Sequence, residues 1–357
     1  RPLQMYTAHS SRAQPPLRKK HIASLLAIAT IFVILGGYLM NSPPGSQNLT
    51  ATLNPRSQII KPFVDPRSYR HIVLSNKMKV LLVSDPQTAF SAAGVEVAVG
   101  SLAGPKEAEG LAHFCEHMLF MGSKKYPVPG DFLSFIANNN GYSNAFTGLE
   151  GTNYHFRVNN QAFTQALDMF AHFFIDPIFD KEYILKESNA INSEFEKNFQ
   201  DSDWRVYYLM QMLADASHPF SRFLAGNFDS LITAPKAKNI DIIKVLKEFH
   251  SKYYSANIMT LTLVSNQTLD EMEKLAKVAF SQVVNKEVVS PSFKSAGLPY
   301  GNNKGKYILF KPIKYENALY IVLQFPQLPD DRSVLPLEYV STVFSRKGEG
   351  SLFKYLS

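Results

Sequence analysis

The sequence predicts an α+β fold: an antiparallel-rich sheet packed by helices, with a membrane-spanning helix ahead of it and a second α+β domain beginning behind it. Three observations carry this. Alternating apolar segments cluster between residues 70 and 99 and return at 142–158. A long run of helical pattern fills 161–215. Strands set apart from runs of helices are the mark of α+β rather than of a strictly alternating α/β chain. With 357 residues there is length for two domains, each with its own core.

The N-terminal segment is read first. Residues 1–64 carry seven Lys or Arg and no Asp or Glu, while the remainder is balanced at thirty of each sign. The net charge of +7 is therefore a property of the tail, and a basic folded surface for nucleic acid is unsupported. Residues 1–21 form a basic tail ending in Arg18-Lys19-Lys20, and 22–40 is nineteen residues without a charge. As a helix that run would span about 28 Å, close to the hydrocarbon core of a bilayer. Basic residues before it predict a cytoplasmic N-terminus and an exported remainder, periplasmic in a bacterium. The length of the run, and the lack of Ala-x-Ala after it, favour an uncleaved signal anchor over a cleaved signal peptide. Residues 41–64, with Ser42-Pro43-Pro44-Gly45, read as a linker.

The folded part follows from residue 65. His71-Ile72-Val73-Leu74, a turn at Ser75-Asn76-Lys77 and Lys79-Val80-Leu81-Leu82-Val83 predict a hairpin, and 93–99 another strand. Next comes a helix holding His113, then a helix near 131–138 and strands near 142–146 and 153–158. Helices are expected at 161–174, 180–200, 204–215 and 270–280, with a strand at 259–264. Residues 285–304, rich in Ser, Pro, Gly, Asn and Lys, mark the boundary of a domain spanning 65–284. Strands at 306–310 and 318–325 open a second domain over 305–357, too short to be complete, so the sequence reads as the N-terminal part of a longer protein.

The chemistry is concentrated in His113-Phe114-Cys115-Glu116-His117. Histidines four apart lie about 40° from each other around a helix, so both imidazoles leave one face. Two neutral nitrogens beside a carboxylate are what a catalytic zinc site needs: two ligands and a general base. The order His-x-x-Glu-His marks the inverted zinc peptidases. A third ligand is required, and the helix at 180–200 offers Glu187 and Glu194, seven residues apart on one face. One can bind metal while the other orients a ligand; Glu182 and Glu196 lie on other faces. The sole cysteine, Cys115, allows no intrachain disulfide, and its helical angle places it in the core rather than at the metal.

The stretch around Gly110-Leu111-Ala112-His113-Phe114-Cys115-Glu116-His117-Met118-Leu119-Phe120 resembles the active-site helix of the insulysin/pitrilysin family of zinc metallopeptidases. Further likeness lies in Ser143-Asn144-Ala145-Phe146-Thr147, Asn192-Ser193-Glu194-Phe195-Glu196, Asp203-Trp204-Arg205 and His218-Pro219-Phe220-Ser221, and covers about 65–357. The family's third ligand stands 77 residues beyond the second histidine, at Glu194 here, with a second glutamate at Glu187. The resemblance implies an endopeptidase with one Zn2+ on His113, His117 and Glu194, Glu116 as base and Glu187 supporting the ligands. It implies peptide substrates bound along Ser143, Asn144, Ala145 and Phe146, with Gly348, Glu349 and Gly350 anchoring a substrate's N-terminus. It also implies two homologous α+β domains in each half of a clam-like enzyme, so that the C-terminal half encloses the substrate and this part alone has very low activity. The alternatives are a partner subunit without chemistry and a peptidase devoted to one precursor.

Overall fold

The computed structural model describes residues 59–301, 305–313, 320–322, 324, 336–351 and 354–355. The chain divides into two compact units. Of the smaller, 59–65 and 307–311 are described and carry neither helix nor strand. The larger holds every element named below.

Among the described residues its frame is one six-stranded sheet. Strands β1 (Ser68–Val73) and β2 (Lys79–Ser84) form the expected hairpin, turned at Lys77 with φ 68°. β3 (Phe90–Val97) leads into helix α1 (Leu111–Leu119), then α2 (Asp131–Asn138), β4 (Tyr142–Thr147) and β5 (Thr152–Asn159). Three long helices follow, α3 (Phe163–Ile175), α4 (Lys181–Asn198) and α5 (Ser202–Leu213). After a π-turn at Asp229–Thr233 come α6 (Ile242–Tyr253), β6 (Met259–Ser265), α7 (Leu269–Phe280) and, far along the chain, α8 (Pro336–Ser345). The strand order is β1-β2-β6-β3-β5-β4, antiparallel at every step except β2–β6.

Period-two alternation puts one face of this sheet in the core. Ser91, Ala93, Val95 and Val97 of β3 are buried, as are Tyr154, Phe156 and Val158 of β5 and Met259, Leu261 and Leu263 of β6. Helices α3 and α7 cover that face with Phe170, Phe174 and Phe280, whose rings meet at 5.4–6.4 Å. Burial of each such ring contributes about 1.5–3 kcal/mol, so the sheet is a firm platform for whatever lies at its β4 edge.

Three expectations change here. The membrane anchor is corrected: among the described residues no helix is long and apolar enough to cross a membrane. The longest, α4, would reach about 27 Å, but Lys181, Glu182, Lys186, Glu187, Glu194, Glu196 and Lys197 make it far too polar for hydrocarbon. The run at 22–40 lies outside the described residues, so the single-pass, exported placement built on it is withdrawn. Residues 306–310, expected as a strand, run without helix or strand, since β-propensity needs a neighbour's ladder to become structure. Of the expected strand at 318–325, half lies outside the described residues, and 320–322 and 324 carry no strand. Helix α6 was not foreseen, although Asp241 caps it by accepting from the Ile243 and Lys244 N–H groups. Ile242, Leu246, Phe249 and Tyr253 then keep helical spacing toward the core.

Candidate metal centre

Helix α1 starts at Gly110, whose φ of 89° is cheap only for glycine. Leu111, Ala112, Phe114, Cys115, Met118 and Leu119 are buried, which fixes the rotation of the helix and turns His113, Glu116 and His117 toward a cavity of about 1330 Å³. Helix α4 is capped by Asp180, which accepts from the Glu182 N–H. Ile184, Ser188 and Ile191 face the core, and this sets Glu187 and Glu194 along the cavity side.

The two helices bring three donor atoms together. His113 Nε2 and His117 Nε2 are 3.3 Å apart, and Glu194 Oε2 is 3.6 Å from each. Tetrahedral bonds of about 2.1 Å require ligand atoms roughly 3.4 Å apart, so the triangle fits a zinc ion without rearrangement. The outer ring nitrogens are engaged as well. His113 Nδ1 lies 2.7 Å from the Ala225 carbonyl oxygen, which can only accept, so the proton sits on Nδ1 and the Nε2 lone pair faces the cavity. His117 Nδ1 lies 3.3 Å from Glu187 Oε2. His113 thus presents Nε2 toward the cavity, and Glu187 can accept from Nδ1–H of His117 in the same sense.

Electrostatics follow from burial. Glu116 is only 6% exposed, and desolvation raises its pKa; His113, the Thr147 hydroxyl and His117 pull the other way. The Thr147 Oγ1 donates to Glu116 Oε2. Burial works to lower the His117 pKa, but Glu187 and Glu194 outweigh it and raise it to about 9. Glu194 is lowered by its hydrogen bond to His117, against its own partial burial. Burial pushes the Cys115 thiol up to about 12, consistent with a packing role.

Ser143, Asn144, Ala145 and Phe146 line the same cavity from β4, an edge strand of the sheet. Trp204 and Tyr207 line it from α5. Gly348, Glu349 and Gly350 are exposed and do not line it. Sequence reasoning assigned no role to Thr147 or Ala225. The first stands at the end of the quoted strand motif, whereas a backbone carbonyl leaves no trace in a sequence.

Comparison with known proteins now adds to this geometry. A family model described as insulinase, peptidase family M16, matches residues 79–220, and one described as the M16 inactive domain matches 242–357. Together they account for well over half of the chain. The chain belongs to the insulinase family. Within this family it is similar to the bovine insulin-degrading enzyme, 41% identical over 298 residues, covering 84% of this chain and 29% of that protein. The A-factor-processing enzyme of Saccharomyces cerevisiae is 36% identical over 325 residues, covering 91% and 31%. A crystal structure of pitrilysin matches with a TM-score of 0.64 and 37% identity, over 66% of this chain and 25% of that one. The chain spans less than a third of the length of these curated relatives. The two family models divide between 220 and 242, yet β6, inside the second, lies between β2 and β3 of the first.

Proposed function

We propose that this chain carries the zinc centre of an endopeptidase that hydrolyses peptides and small polypeptides. The observation behind it is the triangle of His113, His117 and Glu194 donor atoms, at 3.3, 3.6 and 3.6 Å, with the buried Glu116 carboxylate on the same helix face. When bound, zinc supplies Lewis acidity that lowers the pKa of water and polarises a carbonyl.

The chain's own residues do the rest. Glu116 accepts the proton of the attacking water and returns it to the leaving amine; burial lifts its basicity toward neutral pH, where a general base works best. Thr147 occupies Oε2 of that carboxylate, which leaves Oε1 for the water. Glu187 and the Ala225 carbonyl hold the imidazoles in the tautomers that expose Nε2. An extended substrate adds to the free edge of β4 beside Ser143, Asn144, Ala145 and Phe146, giving affinity through main-chain hydrogen bonds with little demand on sequence. Gly348, Glu349 and Gly350, which do not line the cavity, would anchor the N-terminus of such a substrate. The site is open on this chain, and the remaining two-thirds of a relative-sized protein would supply the opposite wall.

The names of the relatives, one degrading insulin and one processing a factor, agree with polypeptide cleavage. The yeast name favours a second reading, a peptidase devoted to one precursor, which a cleavage survey across unrelated peptides would separate from the first. The decisive experiment is Glu116→Gln. It should keep about one zinc per chain and cost the enzyme at least roughly 10²-fold in rate, the scale of general-base loss. A metal-free variant would show that the roles are misassigned.

A further inference from the structure

The spacing between the two histidines is set within α1, by helical geometry. The two edges that reach Glu194 run between helices, and α1 alone cannot fix them. A tie between His117 and Glu187 holds one side. The other side is held by a loop.

That loop, 225–231, touches both helices at once. Its Ala225 carbonyl accepts from His113 Nδ1 at 2.7 Å. Gly226, with φ 78°, lies directly against Gly110, the residue that starts α1. A Cβ on Gly110 would stand 2.2 Å from Gly226 Cα, and one on Gly226 would stand 3.1 Å from Gly110 Cα, so the contact is backbone on backbone. Ser230 Oγ donates to the Glu109 carbonyl at 2.9 Å, one residue further back. Toward α4, the Phe228 N–H donates to Asn192 Oδ1 at 3.2 Å, and Asn192 sits two residues before Glu194. Leu231, fully buried in the π-turn, anchors the loop in the core; such π-turns occur often at functional sites.

We propose that the 225–231 loop is a clamp that holds α1 and α4 at the separation the three donor atoms need, so that Gly226 and Asn192 act as positioning residues for metal affinity without touching metal. The inference rests on reading His113, His117 and Glu194 as the zinc ligands. Loosening the clamp frees the His113 ring from its carbonyl partner and lets the Glu194 edge lengthen. Removing an outer partner of a metal-binding histidine typically weakens binding 10–100-fold.

The test is zinc affinity of the full chain, by competition with a chromophoric chelator, for wild type and four variants. Gly226→Ala intrudes on the glycine contact, and Asn192→Ala removes the tie to α4. Gly130→Ala is the control: its φ of 86° imposes the same left-handed strain, but a Cβ there meets nothing within 4 Å. His113→Ala reports on the site itself. We expect Gly226→Ala and Asn192→Ala each to weaken zinc at least tenfold, with Gly130→Ala within twofold of wild type. In the metal-free Gly226→Ala protein, ring-nitrogen NMR shifts of His113 should show mixed tautomers where wild type shows one. If Gly226→Ala does not fold, Asn192→Ala decides. Wild-type affinity in both clamp variants, with zinc lost in His113→Ala, would overturn the clamp and leave the site standing. Wild-type affinity in His113→Ala would overturn the site, and the clamp with it.

Discussion

A carboxylate 6% exposed to solvent keeps its function only if something compensates the lost hydration, and for Glu116 the compensation is local. The Thr147 hydroxyl donates to one oxygen, and a hydrogen bond to a charged group is worth about 1.5–3 kcal/mol. Thr147→Val should therefore lower kcat by roughly tenfold or more while KM and zinc content stay put, and Thr147→Ser should restore most of it. A valine variant at wild-type kcat would show the contact to be incidental. His250 offers a second test at this scale. It buries Nε2 without a hydrogen-bond partner, stacks on Tyr254 at 4.6 Å and meets Phe179 edge-on. Burial, with Lys286 nearby, drives its pKa down to about 3. Above pH about 6.5 both folded and unfolded chains hold it neutral. Below that, only the unfolded chain takes the proton, so stability falls as pH drops from about 6.5 toward 3, by at most about 1.4 kcal/mol per pH unit. His250→Phe should flatten that slope in urea unfolding between pH 6.5 and 4; parallel slopes would mean that the imidazole is charged in the fold. The metal ligands and base named by sequence were those whose side chains repeat at helical spacing, whereas Ser143–Phe146 and Gly348–Gly350 came from the family resemblance. His250 and Thr147 were passed over because their meaning lies in contacts across more than thirty residues of chain.

At the scale of elements, the site is two helix faces and one strand edge. Seven residues separate Glu187 from Glu194, two turns of α4, so both face the cavity, whereas Glu196 does not line it and accepts from Asn192 Nδ2. Glu194→Gln should weaken zinc far more than Glu196→Gln, measured by equilibrium dialysis; equal retention would remove Glu194 from the ligand set. Most of these elements were legible because their apolar residues repeat at a strand or helix period, and Asp180 and Asp201 add side-chain caps at the starts of α4 and α5. The hairpin at β1–β2, the α1 motif and the run α3–α5 all fall close to their expected positions. Helix α6 was overlooked although its cap and apolar spacing are present. Residues 306–310 show the opposite error, since an apolar alternation states a preference and only a neighbouring strand turns it into a ladder.

For the whole molecule, the informative feature is β6. It arrives late in the chain, yet pairs parallel to β2 and antiparallel to β3 in the middle of the sheet. No local pattern announces that crossover, so the strand order was not readable from sequence although the strands were. A fragment ending at residue 241, where the first family model has already stopped, would lose Met259, Leu261 and Leu263 along with Met272 and Phe280 of α7, all buried. We expect residues 59–241 to show no cooperative urea transition by circular dichroism, and 59–291 to unfold cooperatively. A sharp transition in the shorter fragment would show that the sheet closes without its central strand.

The position of β6 also imposes an order in time. β3 ends about 160 residues before β6 begins, an interval of roughly 10–30 s at ordinary translation rates of about 5–20 residues per second. For the last 100 or so of those residues, after β5 ends at Asn159, the nascent chain holds two half-sheets with open edges and its histidine helix already made. A ribosome-bound chain of this kind meets cellular metal and chaperones well before the sheet beneath its histidines has closed.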